Sequence, residues 1–213
     1  MATRYQIHPS HPQLRNIYSI VDELHRGAIM LYPTDTVFAI GCDIANKNGQ
    51  ERIRRLRNIP EDKPLTFVAS SLSNISDYAH ISDTAYHILR NLVPGPYTFL
   101  LPASKLVPKL VLNPRRRTTG IRVPDYPICQ VLIHELQSPL ISMSAYLPDR
   151  PEPESREELF EQFESFIDII IDDDSEYRSP LIPENVSTMI DLTDDVPSIK
   201  REGRGIELAS KFI

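Results

Sequence analysis

Ala28-Ile29-Met30-Leu31-Tyr32-Pro33-Thr34-Asp35-Thr36-Val37-Phe38-Ala39-Ile40-Gly41 decides the fold class of this chain of 213 residues. Two apolar runs of strand length flank a cluster of turn formers, Pro33 to Thr36, so the stretch reads as strand, tight loop, strand. Upstream, Leu14, Ile17, Val21 and Leu24 recur at helical spacing, and Gly27 follows where a left-handed terminator is wanted. Downstream, a basic helix around residues 50–58 leads through Pro60 and Pro64 into a strand at 65–69. Ser82 then caps a helix that turns Ala85, Ile88, Leu89 and Leu92 inward. The turn Pro94-Gly95-Pro96 launches a strand at 97–101, and a strand at 120–123 stops at Pro124. Pro127 suits the first turn of a helix carrying Ile128, Val131, Leu132 and Leu136, and a strand at 139–144 follows. Ser155 and Glu158 form a capping box for an acidic helix, and strand-like runs at 166–171, 189–192 and around Ile199 close the chain. This mixed order predicts an α/β fold, an open twisted mixed sheet with flanking helices. No repeat or low-complexity tract interrupts it, and the Pro-rich stretch 148–153 is too short to separate two cores. A single domain over residues 1–213 is expected.

Composition narrows the classes further. The chain is 41% hydrophobic and 24% charged, with no apolar run of membrane-spanning length, so no membrane partner is expected. A chain this long buries roughly 70% of its unfolded surface and needs no disulfide or structural metal. It has two cysteines, Cys42 and Cys129, in no C-x-x-C pair, and its opening with Arg4, His8 and Pro9 lacks the layout of a secretory signal. A cytoplasmic location is the expectation. The net charge of −6 hides an asymmetry: residues 1–125 carry 16 Lys and Arg against 10 Asp and Glu, and residues 126–213 carry 7 against 19. Such a gradient either holds an anion at its basic end or reflects solvated acidic helices late in the chain.

Most familiar chemistries are absent. With seven glycines there is neither G-x-G-x-x-G nor a P-loop, and no G-x-S-x-G marks a nucleophile. The six histidines form no H-E-x-x-H, and His8 and His11 sit near an N-terminus expected to be loose, so no metal site is expected. What remains is a set of hydroxyls and guanidiniums at strand ends: Thr34, Thr36, Thr66, Thr118, Arg122, Ser142, Ser144, Ser187 and Arg201. These groups give a carboxylate or phosphate oriented, charge-assisted hydrogen bonds. Taken singly, each is an ordinary turn or strand-edge residue.

Their contexts carry more. Tyr32-Pro33-Thr34-Asp35-Thr36, Arg57 with Asp62-Lys63-Pro64-Leu65, Pro94-Gly95-Pro96-Tyr97-Thr98-Phe99, Gly120-Ile121-Arg122-Val123-Pro124, Ser142-Met143-Ser144-Ala145 and Ser187-Thr188-Met189-Ile190-Asp191 with Arg201-Glu202-Gly203 stand in one order. That order resembles the YrdC-like family over nearly the whole chain. Ile7-His8-Pro9, Gly41-Cys42, Glu51-Arg52-Ile53 and residues 191–195 are similar to its YciO-like branch. The resemblance implies the α/β twist fold associated with double-stranded RNA, with a positively charged concave cavity that takes ATP and L-threonine. Catalytic members join threonine, bicarbonate and ATP into threonylcarbamoyl-adenylate, releasing pyrophosphate, for tRNA modification. By the same resemblance Thr34, Thr66, Arg122, Ser142 and Ser187 match the amino-acid contacts, and Arg57, Thr118, Ser144 and Arg201 the nucleotide side, with Arg57 and Ser144 nearest the chemistry. ATP would arrive as substrate with its Mg²⁺.

Two positions depart from the synthase pattern. Lys-x-Arg before the proline is replaced by Arg57-Asn58-Ile59-Pro60, and Ser-x-Asn by Ser144-Ala145-Tyr146. Losing one donor aimed at developing charge typically costs on the order of 10²- to 10³-fold in rate. Tyr146 either hydrogen-bonds or stacks on a guest, or is simply a half-buried aromatic at a strand end. Arg52, Arg54, Arg55 and Arg57 on a helix, and Arg115, Arg116 and Arg117 in a loop, are expected to border one cavity and to contact RNA phosphates by shape, because no base-reading aromatic motif is present. Two functions are consistent with all this. One is an RNA- and nucleotide-binding protein with a degenerate synthase site. The other is an active threonylcarbamoyl-adenylate synthase, a nucleotidyltransferase. Ile59 and Tyr146 discriminate between them.

Overall fold

Strand residues alternate between two faces of a sheet, and that alternation sorts this chain into two cores. The computed structural model describes residues 1–60, 63–109, 111–113 and 115–213; Asp62 of the Arg57 motif lies outside the described residues. The strands are β1 (Thr3–Gln6), β2 (Met30–Tyr32), β3 (Ala39–Asp43), β4 (Thr66–Val68), β5 (Tyr97–Pro102), β6 (Thr118–Arg122), β7 (Leu140–Ser144), β8 (Ile169–Asp172), β9 (Thr188–Asp191) and β10 (Ser198–Arg201). The helices are α1 (Leu14–His25), α2 (Lys47–Leu56), α3 (Leu72–Tyr78), α4 (Asp83–Leu92), α5 (Pro127–Leu136), α6 (Arg156–Phe163) and α7 (Ile206–Ala209). All ten strands join one sheet in the order β1-β8-β2-β3-β7-β4-β6-β5-β9-β10. Its pairings are mixed: β2–β8, β4–β6 and β5–β9 are parallel, while β2–β3, β3–β7, β4–β7 and β5–β6 are antiparallel. This is the mixed open sheet that the sequence predicts.

One face carries Ile29, Leu31, Ile40, Cys42, Phe67, Phe99, Ile121, Ile141 and Ile190, packed with Ile53 of α2, Leu89 of α4 and Phe163 of α6. The other carries Met30, Tyr32, Ala39, Val68 and Leu140 under α1 and α5, through Ile17, Ile20, Leu24, Ile128 and Leu132. α1 and α5 cover only part of that second face. Along it the register aligns Gly41, Ser142, Thr66, Gly120, Leu100 and Asp191 in one row across six strands. Here the inward residues turn polar, and this row is the floor of the site.

Several boundaries differ from the sequence expectation for physical reasons. The N-terminus is not loose: β1 pairs with β8, Arg4 binds Asp172 at 2.8 Å, and Ile7 is 1% exposed. Its residues Thr3–Gln6 show no apolar alternation, so composition could not mark a strand. β3 starts at Ala39, because Val37 and Phe38 give their carbonyls to Thr34 and to the Ala145 amide instead of to a strand ladder. Gly27 does take the left-handed conformation, at φ +98°. The capping box is closed on one side only: Ser155 accepts from the Glu158 amide, while the Glu158 carboxylate accepts from Glu154, one residue before the cap.

Candidate anion-binding site

The β2–β3 loop is built by its own hydroxyls. Thr34 Oγ1 donates to the Val37 carbonyl at 2.7 Å and accepts from the Thr36 amide at 3.1 Å, a side-chain turn that fixes the loop without regular structure. Thr34 and Thr36 are both buried, with their hydroxyl oxygens 3.1 Å apart. The loop folds back over the sheet toward the end of β6. There Arg122 donates to Thr36 Oγ1 at 2.8 Å and pairs with Asp35, whose other oxygen accepts from the Asp125 amide at 3.1 Å. On the far side, the Cys129 thiol of α5 donates to the Pro33 carbonyl at 3.3 Å.

The floor follows from the register. Tyr32, fully buried, donates to Ser142 Oγ at 2.7 Å, and burial pushes its phenol up, so the hydroxyl stays a donor. Ser142 lies beside Thr66, and Thr66 beside Gly120, where an added Cβ would sit 2.9 Å from Thr66 Oγ1. The glycine leaves that hydroxyl uncovered. Two residues along their strands in opposite directions lie Ser144 on β7, and Thr118 and Arg122 on β6, on the same face.

The third wall comes from the last two strands. Thr98 and Ser187 share a hydrogen bond of 2.8 Å, and Arg201 donates to the Ser187 carbonyl at 2.8 Å and to its hydroxyl at 3.0 Å. Gly203 is required for this approach, since a Cβ there would stand 2.4 Å from the Val186 carbonyl. Arg57 lies just past α2. Its guanidinium donates to the Tyr146 carbonyl at 2.7 Å and stacks 4.7 Å above the Tyr146 ring. Ile59 turns away and packs on the main core.

The electrostatics are unbalanced. Burial lowers the Arg57 guanidinium, with the nearby tyrosine opposing; burial and then the Arg122 charge lower Arg201. Neither is in an ion pair with a carboxylate among the described residues; Arg57 and Arg201 meet only carbonyls, a hydroxyl and a ring. Arg57 Nε and Arg122 Nε are buried donors without an acceptor. Two guanidiniums, those of Arg122 and Arg201, and a row of hydroxyls thus share one face, an arrangement suited to binding and orienting anions. No group of three or more His, Cys, Asp or Glu is placed to hold a metal ion among the described residues.

A family model covering Sua5, YciO and YrdC, described as "Telomere recombination", matches residues 22–203. The chain belongs to the Sua5/YciO/YrdC family. Within it, YciO of Escherichia coli (strain K12) is 39% identical over 206 residues, spanning 96% of this chain and 97% of the relative. The crystal structure of E. coli YciO superposes with a TM-score of 0.85 at 38% identity, covering 95% of this chain and 96% of that one. A threonylcarbamoyl-AMP synthase of Vibrio vulnificus is 33% identical over 159 residues, or 73% of this chain and 85% of the relative. The Pyrococcus abyssi Sua5 structure complexed with L-threonine has a TM-score of 0.86 at 27% identity, covering all of this chain and 61% of that longer one.

Of the residues singled out in the sequence, Thr34, Thr66, Thr118, Arg122, Ser142, Ser144, Ser187 and Arg201 lie along this face, while Arg57 lies against Tyr146, just past β7. The arginines expected to face RNA do not share a direction. Arg52 is spent on Asp168 at 3.0 Å and on the Phe166 carbonyl, and Arg54 is buried against the Pro60 carbonyl. Arg55 is exposed beside Glu51. Arg115, Arg116 and Arg117 are exposed in the turn before β6, where Arg116 reaches Asp191 at 3.4 Å. β8, next to Asp168, and β9, which holds Asp191, lie seven strand spacings apart, about 34 Å along the sheet. Sequence reasoning also missed Arg178, which donates to the Thr36 carbonyl at 3.3 Å from an irregular segment with no periodic signal.

Proposed function

We propose that the protein binds ATP, with the Mg²⁺ it carries, together with a small carboxylic acid of the L-threonine class, and that synthase chemistry is slow or lost. The supporting observation is Arg201, held at Ser187 by neutral acceptors only, with Arg57 likewise given no carboxylate at Tyr146. Holding a cation among protein groups without a counter-ion is unfavourable, and a phosphate chain on this face offsets it. The hydroxyls of Thr34, Ser142 and Thr66 suit the smaller guest, as the relative complexed with L-threonine suggests by likeness.

Adenylate formation asks more than binding. A carboxylate oxygen of the carbamate attacks the α-phosphorus, the bond to the bridging oxygen breaks, and pyrophosphate leaves with its electron pair. Cations fixed on the developing charge carry most of that acceleration. Here Ile59 is part of the core and Tyr146 engages Arg57 with both ring and carbonyl, so two of the groups that the synthase pattern supplies are replaced. With ATP, L-threonine and bicarbonate, pyrophosphate release should be about 10²-fold or more below that of the V. vulnificus synthase, while calorimetry shows ATP binding that Arg201→Ala weakens. Comparable turnover would instead make the protein a synthase, and no ATP binding would end the proposal. RNA belongs to this reading as the macromolecular partner of Arg115–Arg117, which are exposed in the turn before β6.

A further inference from the structure

Arg178 sits in residues 173–187, the connection from β8 to β9, which joins strands far apart in the sheet. The segment is held at several points. Asp173 pairs with Tyr126 and accepts from the Ser175 amide at 3.1 Å, Tyr177 packs on the main core, and Asn185 donates to the Ser179 carbonyl at 3.1 Å. Arg178 is thereby placed at Thr36, half-buried, donating to its carbonyl. Arg122 holds the hydroxyl of the same threonine.

Two guanidiniums therefore meet one residue, and of the two only Arg122 has a carboxylate, Asp35, among the described residues. Asp35 is taken by Arg122 and by the Asp125 amide. Arg178 has no carboxylate partner among the described residues and bonds only a neutral carbonyl. A guest carboxylate seated at Thr34 and Thr36 would have to share Arg122 with Asp35, placing two anions on one cation. With Arg178 the count is two against two. A guanidinium also presents a flat fork that meets a carboxylate through two parallel hydrogen bonds.

We propose that Arg178 is the specificity-determining residue that pairs with the carboxylate of the small guest, leaving Arg122 to hold Asp35 and the loop. The proposal rests on the reading above that this end of the face takes a small carboxylic acid. It does not depend on ATP. The test is calorimetric titration of the full chain with L-threonine and with L-threoninamide, which keeps the amine, hydroxyl and size but lacks the carboxylate. The wild type should prefer L-threonine by about tenfold or more. Arg178→Ala should abolish that preference by weakening L-threonine alone, and Arg178→Lys, which keeps the charge, should retain part of it. If Arg178→Ala weakens both ligands equally, the residue only props the Thr36 loop and the proposal falls. It also falls if the wild type does not distinguish the two ligands, or if Arg178→Ala binds L-threonine as the wild type does. A parallel ATP titration reports on Arg57 and Arg201 separately, so loss of ATP binding with an intact carboxylate preference overturns the nucleotide reading and not this one.

Discussion

Tyr146 carries two loads at one position. Its carbonyl accepts from Arg57, and its ring lies under the guanidinium, an arrangement worth about 0.5–2 kcal/mol depending on how far water is excluded. On the function proposed above, the side chain that replaces the synthase asparagine restrains the cation assigned to the phosphates. Replacing Tyr146 with Asn should release the ring contact and raise pyrophosphate formation from ATP, L-threonine and bicarbonate by about tenfold, without reaching synthase rates, because Ile59 still offers no charge. A pyrophosphate assay comparing Tyr146→Asn with the wild type checks this, and an unchanged rate would mean that Arg57 is not limiting. None of this was visible in the chain, because Arg57 and Tyr146 are 89 positions apart. The sequence allowed either a ligand contact or a packed aromatic for Tyr146, and its observed partner is a protein cation.

Among the elements, β3 is the most intolerant of added bulk. A Cβ on Gly41 would stand 2.5 Å from the Ile141 carbonyl and 3.0 Å from Tyr32 Cε1, so the β3–β7 ladder itself would have to part. Gly41→Ala should cost about 1–3 kcal/mol or more, read as a lowered urea midpoint. Gly120→Ala meets only the Thr66 hydroxyl and should cost less. The same elements show why some of the fold was legible and some was not. α4 and α5 were readable because each buries a periodic apolar face. β1 was not, since Thr3-Arg4-Tyr5-Gln6 is an edge strand whose side chains are largely solvated and whose partner lies far along the chain. α3 was hidden for another reason: a helix of Leu72-Ser73-Asn74-Ile75-Ser76-Asp77-Tyr78 has one fully buried residue, Ile75, and is started by the Ser71 cap more than by an apolar stripe. The strand-end hydroxyls and guanidiniums could be picked out in the sequence, yet Arg178 could not, because nothing local in residues 173–187 says that they return to Thr36.

At the scale of the molecule, the charge asymmetry is partly folded away. Arg4–Asp172, Arg52–Asp168 and Arg116–Asp191 each join the basic first part of the chain to its acidic second part. Arg115 and Arg117 stay exposed in the turn before β6, while Arg116 between them reaches Asp191. Binding to duplex RNA should weaken as salt rises, with a log–log slope of up to about −0.9 for each phosphate neutralised. Replacing Arg115 and Arg117 together by Ala should flatten that slope without touching the Asp191 pair, and a slope unchanged by filter-binding measurement removes them from any RNA contact. Stability should also respond to alkali. Burial, reinforced by the Asp43 charge, pushes the Cys42 thiol from 9.0 up to about 12. A group raised on folding contributes stability that is intact below its unfolded value and is lost as the pH climbs toward its folded one. The free energy of unfolding should therefore fall between pH 9 and 12, by up to about 1.4 kcal/mol per pH unit for this thiol, read as a falling urea midpoint that falls less steeply in Cys42→Ala.

The Asp35–Arg122 pair gives the site a resident anion of its own. An acid drawn in by Arg178 would leave Arg122 with its aspartate, so the pairing that shapes the loop survives the guest's arrival. Loops that merely wait for an anion repel one another's cations until it comes; this one is held closed by its own aspartate, and it can afford to stay rigid whether or not a visitor is present.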